Sequence, residues 1–310
     1  MQNQPSDLLR QGRRALEELP FYRLLGGLEW YPSVRKWAWN CRISIEPVGS
    51  IPAQTEWYVV VGPEYPWGGI DLFPAKSGGI TRTFQHQSFN GPGSTGVPWR
   101  DGKICVQTGL RLFGRRMYDS EPFTADERLG WHMFRARDWL VAAGEGKLVE
   151  PGDPFELPDF HGLSEARQCA FVEDEESFGF WQTQPWTYGT AGVIHPRMNP
   201  NVFAIVTWND SKGQLLRRSE YGTLISEEKA TGVGIWIRSS QIPCLDPWQA
   251  PATLEELRTA LRSQGVELDP VMERLSRNLR DGKRHPLLVG FPIPRESSPF
   301  LVEIAERLLT

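Results

Sequence analysis

Apolar positions change their spacing along this chain, and each change marks an element. Leu9, Leu16 and Leu19 recur at helical spacing after Ser6, a residue suited to capping a helix, and Pro20 ends the run because it cannot continue a helix. One amphipathic N-terminal helix is predicted. From Leu28 the texture becomes short β-branched and aromatic stretches broken by Pro and Gly: Trp37 to Pro47, Glu56 to Gly62, and Gly69 to Pro74. These read as an antiparallel meander.

Between Pro74 and Thr124 almost no periodic signal survives, although Gly, Pro, Asn and Ser are abundant. A loop of that length inside a compact domain is usually functional. Thr124 and Glu127 then have capping-box spacing, ahead of a stripe of Leu129, Met133, Ala136, Leu140 and Ala143 that ends at Gly144. Residues 150–158 hold three prolines and read as a connector, which places a domain boundary near Phe160. Beyond it, Ala170 to Trp181, Val202 to Asn209 and Thr231 to Arg238 read as strands. Thr253 and Glu256 open a helix through Leu254, Leu257 and Leu261 to Gly265. Asp269-Pro270 starts a further short helix, and His285 to Pro292 reads as a buried strand. A mixed α/β accessory domain over residues 161–310 is expected.

Composition narrows the function classes. With 34 Lys+Arg against 38 Asp+Glu the net charge is -4, so no global attraction to nucleic acid is expected. No window approaches the ~18 apolar residues that cross a bilayer, and residues 1–7 lack a signal-peptide pattern. A cytoplasmic location is expected, with no membrane partner. Cys41, Cys105, Cys169 and Cys244 lie far apart, and His86, His132, His161, His195 and His285 are equally dispersed. Neither a disulfide framework nor a metal site is indicated, and no cofactor is expected.

Cys105 stands out by its setting, Gly102-Lys103-Ile104-Cys105-Val106, at the end of the long loop. Helix, meander, Tyr65-Pro66-Trp67, long coil, this Cys element and a helix after Pro122 follow one another over about residues 1–160. In that order they resemble a ubiquitin-conjugating (UBC) domain: an N-terminal helix, an antiparallel four-stranded meander and a C-terminal helix, of α+β class. The segment Gly152 to Pro158, with an α/β region after it, further resembles bacterial proteins of antiphage (CBASS-type) defence operons, in which a UBC domain precedes activating-enzyme-type domains.

The resemblance implies that Cys105 carries a ubiquitin-like protein as a thioester and passes it to an amine, a lysine of a target protein. It also implies an oxyanion donor, which UBC enzymes supply from the Asn of His-Pro-Asn. Here the corresponding stretch is His86-Gln87-Ser88-Phe89-Asn90, so Asn90 or His86 would fill that role. Asn90-Gly91 is equally a turn signal. Arg111, Arg115 and Arg116 would favour the thiolate, and Asp119 or Glu121 would act on the incoming lysine. The expected partners are a ubiquitin-like protein, an activating enzyme or domain in cis or in trans, and a target protein.

Residues 160–310 contain no Gly-rich phosphate loop, since Gly232 and Gly234 sit inside a predicted strand. ATP binding by this half is not expected, and it would correspond to an inactive adenylation-like or linker region. The close at Leu308-Leu309-Thr310 is compatible with a piece of a longer fusion. Two rivals remain open at this level. One is a catalytically inactive UBC-like module that docks a ubiquitin-like protein or activating enzyme. The other is a cysteine hydrolase pairing Cys105 with His86 or His132. Trp30, Trp37, Trp39, Trp57, Trp131 and Trp139 are expected to serve packing.

Overall fold

The computed structural model describes residues 4–106, 121–149, 156–160, 168–172, 174–194, 202–222, 230–276 and 285–293. Internal contacts divide the chain into two units, Met1–Asp159 with Asp246–Ala250, and Phe160–Leu245 with Pro251–Thr310. The class is mixed α+β, with largely antiparallel sheets and few helices.

The first unit opens with α1 (Asp7–Ala15), where the Ser6 side chain accepts from the Leu9 N–H at 3.2 Å, followed by a 3-10 turn over Leu16–Glu18. Strands β1 (Tyr22–Leu24), β2 (Glu29–Tyr31), β3 (Lys36–Ser44), β4 (Gln54–Val61) and β5 (Ile70–Pro74) form one antiparallel sheet. Its order is β1-β3-β4-β5, with β2 also pairing β3. Strand periodicity sends Trp37, Trp39, Cys41 and Ile43 of β3 to one face and Ala38 to the other. The first face packs on α1 and on α2 (Arg128–Glu145), whose Leu129, Met133, Ala136, Leu140 and Ala143 are buried as the stripe requires.

Against the opposite face, Val97 and Trp99 of the long loop pack on Ala38 and Val60, and the Trp99 ring lies 4.8 Å from Tyr31. This burial orders a stretch that offers no periodicity, because its apolar anchors are isolated. Trp37, Trp39, Trp57 and Trp139 are core residues.

Two expectations about α2 are corrected. Thr124 and Glu127 bond to each other through their side chains at 2.7 Å, and the helix begins only at Arg128 without a side-chain cap. At the other end Gly146, with φ 67°, is the left-handed terminator. Gly144 lies inside the helix, where a Cβ would stand 2.4 Å from the Val48 carbonyl oxygen. Close packing, not helix termination, requires that glycine.

The second unit carries β6 (Gln168–Ala170), α3 (Glu175–Thr183), β7 (Tyr188–Ile194), β8 (Val202–Asp210), β9 (Leu215–Arg218), β10 (Gly232–Arg238), α4 (Leu254–Arg262), α5 (Leu268–Ser276) and β11 (Leu287–Gly290). The sheet order is β11-β10-β7-β8-β6, with β9 on β8; β10/β11 and β6/β8 are parallel and the other pairs antiparallel. Ile235 and Ile237 of β10 meet Leu261, Leu268 and Val271 from α4 and α5, while Trp236 joins Trp181 and Trp208 in a separate cluster.

The strand expected over 170–181 is mostly helix. Asp174 accepts from the Ser177 N–H at 2.7 Å and Ser177 answers to the Asp174 N–H at 2.8 Å, a capping box that commits the aromatic run after it to α3. The short strands β1, β2 and β6, and also β7 and β9, were not anticipated. No helix among the described residues is long and apolar enough to cross a membrane.

Candidate functional site

Two extended pieces of the long loop continue the first sheet beyond β5. The Ile104 N–H donates to the Leu72 carbonyl at 3.1 Å, the Ser88 N–H donates to Lys103 at 3.0 Å, and the Cys105 N–H donates to His86 at 2.7 Å. Gln87 and Ile104 thereby form an antiparallel bridge. Ile104 and Val106 are buried while Cys105 between them is exposed, so strand alternation turns this thiol outward.

Cys105 opens into a cleft of about 300 Å³, lined among others by His86, Asp71, Lys103, Glu156 and Asp159. Asp71 is held by Lys36 at 2.6 Å and Lys103 at 3.6 Å. On the opposite wall one carboxylate oxygen of Glu156 accepts the His86 backbone N–H at 2.9 Å and lies 3.1 Å from His86 Nδ1. Asp159 accepts the Phe89 N–H at 3.0 Å. The post-α2 segment therefore grips the 86–89 turn with two acidic side chains. His86 has φ 55°, a left-handed conformation uncommon for a residue with a Cβ.

Gln87 braces the same turn, accepting from the Phe84 N–H at 2.9 Å and donating to the Gly102 carbonyl at 3.0 Å. From α2, Arg135 donates to the carbonyl of Val106.

His86 and Cys105 thus share the cleft, and Asn90 is not among its lining residues. Asn90 is 2% exposed and its amide is fully engaged. Nδ2 donates to the carbonyls of Ile80 and Arg82, both at 2.9 Å, and Oδ1 accepts from Arg100 Nε at 3.0 Å. With both amide protons bound to the protein, Asn90 has none left for an oxyanion in this arrangement. Gly102 passes so close that a Cβ there would stand 2.5 Å from Asn90 Oδ1. The glycine of the Gly-x-Ile-Cys element is explained by this approach.

Glu121 and His132 lie elsewhere. One oxygen of Glu121 takes Arg128 Nε at 2.6 Å and His132 Nε2 at 2.7 Å, and Arg128 also donates to the Pro66 carbonyl. His132 is 0% exposed and its Nδ1 has no hydrogen-bond partner. Burial drives its pKa down against the raising effect of Glu121. Burial raises that of Glu121, but the bonds from His132 and Arg128 bring it below the usual carboxylate value. An ionised Glu121 bridging a neutral His132 and Arg128 is a structural network, and none of the three is among the residues that line the cleft. Arg111, Arg115, Arg116 and Asp119 lie outside the described residues.

The four cysteines form no disulfide. Burial pushes the Cys41 thiol far up and that of Cys169 up to about 11, which suits packed thiols. Among the described residues no group of three or more His, Cys, Asp or Glu is arranged to hold a metal ion.

Sequence reasoning missed Glu156 and Asp159 as site residues, since Glu156 was visible only as part of a proline-rich connector and Asp159 lies just beyond it. Their pairing with the 86–89 turn spans 70 residues, beyond any local pattern.

The chain is 29% identical over 266 residues to the ATP-dependent ubiquitin transferase-like protein Cap2 of Enterobacter hormaechei subsp. hoffmannii (strain UCI 50). The match covers 84% of this chain and spans 44% of that relative's length. A family model, the Cap2 central linker domain, matches residues 146–305, just over half of the chain. On that match the chain belongs to the family of the Cap2 central linker domain.

Proposed function

We propose that residues 1–160 form a UBC-type conjugating domain that carries a ubiquitin-like protein as a thioester on Cys105 and transfers it to a lysine of a target protein. Residues 161–310 are then the accessory linker domain, in keeping with the family match over 146–305. The chain acts in bacterial antiphage defence of the CBASS type, in the cytoplasm. Its ATP-requiring partner is an activating domain in cis or an activating enzyme in trans.

The observation that carries this reading is an outward thiol, fixed between two buried neighbours, lining a cleft shared with His86. The helix, meander and helix of the first unit support it, as does the transferase-like relative. Chemically, a thiolate attacks an activated carboxyl more readily than a hydroxyl does near neutral pH, and the thioester stays reactive toward amines. Asp71, Glu156 and Asp159 line the cleft beside the single cation Lys103, and this excess of carboxylates favours the approach of a protonated lysine.

The test is a trap. With a ubiquitin-like protein, activating enzyme and ATP, Cys105→Ser is expected to give an oxyester that survives thiol reductant, and Cys105→Ala no adduct. A reducible adduct persisting in Cys105→Ala would overturn the reading.

A further inference from the structure

We propose that Glu156 is a positioning residue that orients His86 as the base accepting the proton of the attacking amine. This deepens the thioester reading and rests on it. Glu156 uses one oxygen for two tasks, accepting the backbone N–H of His86 at 2.9 Å and facing its ring Nδ1 at 3.1 Å. The first contact helps hold residue 86 in its left-handed conformation. The second selects the tautomer: a carboxylate at Nδ1 takes the proton there, and Nε2 carries the lone pair. The backbone bond from the Cys105 N–H to the His86 carbonyl sets the two residues side by side in the cleft.

The remaining charged groups of the cleft are otherwise engaged. Asp71 lies between Lys36 and Lys103, and Asp159 caps the Phe89 N–H.

The lysine nitrogen attacks the thioester carbonyl carbon, and the new C–N bond replaces the C–S bond. The electron pair of that bond returns to Cys105 Sγ as thiolate, and the amine proton passes to His86 Nε2. Glu156 stays ionised and faces the imidazolium so formed. A protein carboxylate in this place stabilises the ring as it becomes charged.

The experiment separates loading from discharge. Wild type, His86→Gly and Glu156→Gln are loaded by activating enzyme, ATP is then removed, and the thioester is chased with free lysine. Glycine adopts a positive φ at no steric cost, so His86→Gly keeps the turn while deleting the ring. In Glu156→Gln the amide oxygen can still accept both N–H groups, but the charge is gone. Discharge is scored per loaded molecule, so the amount each variant loads does not enter the comparison. Discharge should fall about 10²-fold in His86→Gly, the usual scale for a lost general base, and less in Glu156→Gln. Added imidazole should restore part of the rate to His86→Gly beyond any gain in wild type.

Discharge of loaded His86→Gly at the wild-type rate, or a loss that imidazole does not repair, would overturn the role. If His86→Gly does not fold, unchanged discharge in loaded Glu156→Gln overturns it alone. A wild-type chain that never loads would instead overturn the thioester reading and this role with it, and that result is read before any lysine is added.

Discussion

Both protons of the Asn90 amide are committed to the carbonyls of Ile80 and Arg82, so truncating the side chain strands one buried and one partly buried acceptor. Asn90→Ala is expected to destabilise the first unit by about 3 kcal/mol, the sum of one or two such unpaired groups. Urea denaturation checks this, and a midpoint equal to wild type would refute the structural role. The network of Glu121, Arg128 and His132 makes a pH prediction. His132 titrates below its ordinary value when folded, so as pH falls below about 6.5 the unfolded chain takes up a proton that the folded chain refuses. Glu121, also lowered, adds a loss of the same sign below about 4.5. Stability should therefore fall on acidification from pH 6.5, and His132→Gln should lack the upper part of that fall. Parallel melting-temperature curves for the two proteins across pH 5 to 7 would contradict it.

At the scale of elements, α2 offers a paired test of its two internal glycines. Nothing lies within 4 Å of a Cβ built on Gly130, whereas one built on Gly144 meets the Val48 carbonyl oxygen at 2.4 Å. Gly130→Ala is expected to stabilise by about 0.5–1 kcal/mol through helix propensity, and Gly144→Ala to destabilise despite the same gain. Thermal denaturation of both decides it, with equal shifts as the contrary result. This asymmetry also marks what the sequence could tell. The stripe of α2 and the long strands β3, β4 and β5 were legible because burial on one side imposes a period. Gly144 was misread as a terminator because its neighbour Val48 lies almost a hundred residues upstream. The 170–181 stretch was misread because its aromatic content resembles a strand, while Asp174 and Ser177 fix the helix start. Cys105 was legible as a candidate from its setting, but the acidic grip on His86 required Glu156 to be brought back across 70 residues.

The molecule as a whole joins an α+β unit bearing an exposed thiol to a second unit within the Cap2 central linker match. The match spans 44% of the length of the relative, the ubiquitin transferase-like protein Cap2. A covalent intermediate on Cys105 is directly visible to intact mass spectrometry. The 35.3 kDa chain is incubated with a ubiquitin-like protein, activating enzyme and ATP, then measured with and without reductant. The expected result is an added mass equal to the ubiquitin-like protein less one water, lost on reduction and absent from Cys105→Ala. No adduct on wild type alongside a demonstrably active activating enzyme would contradict it.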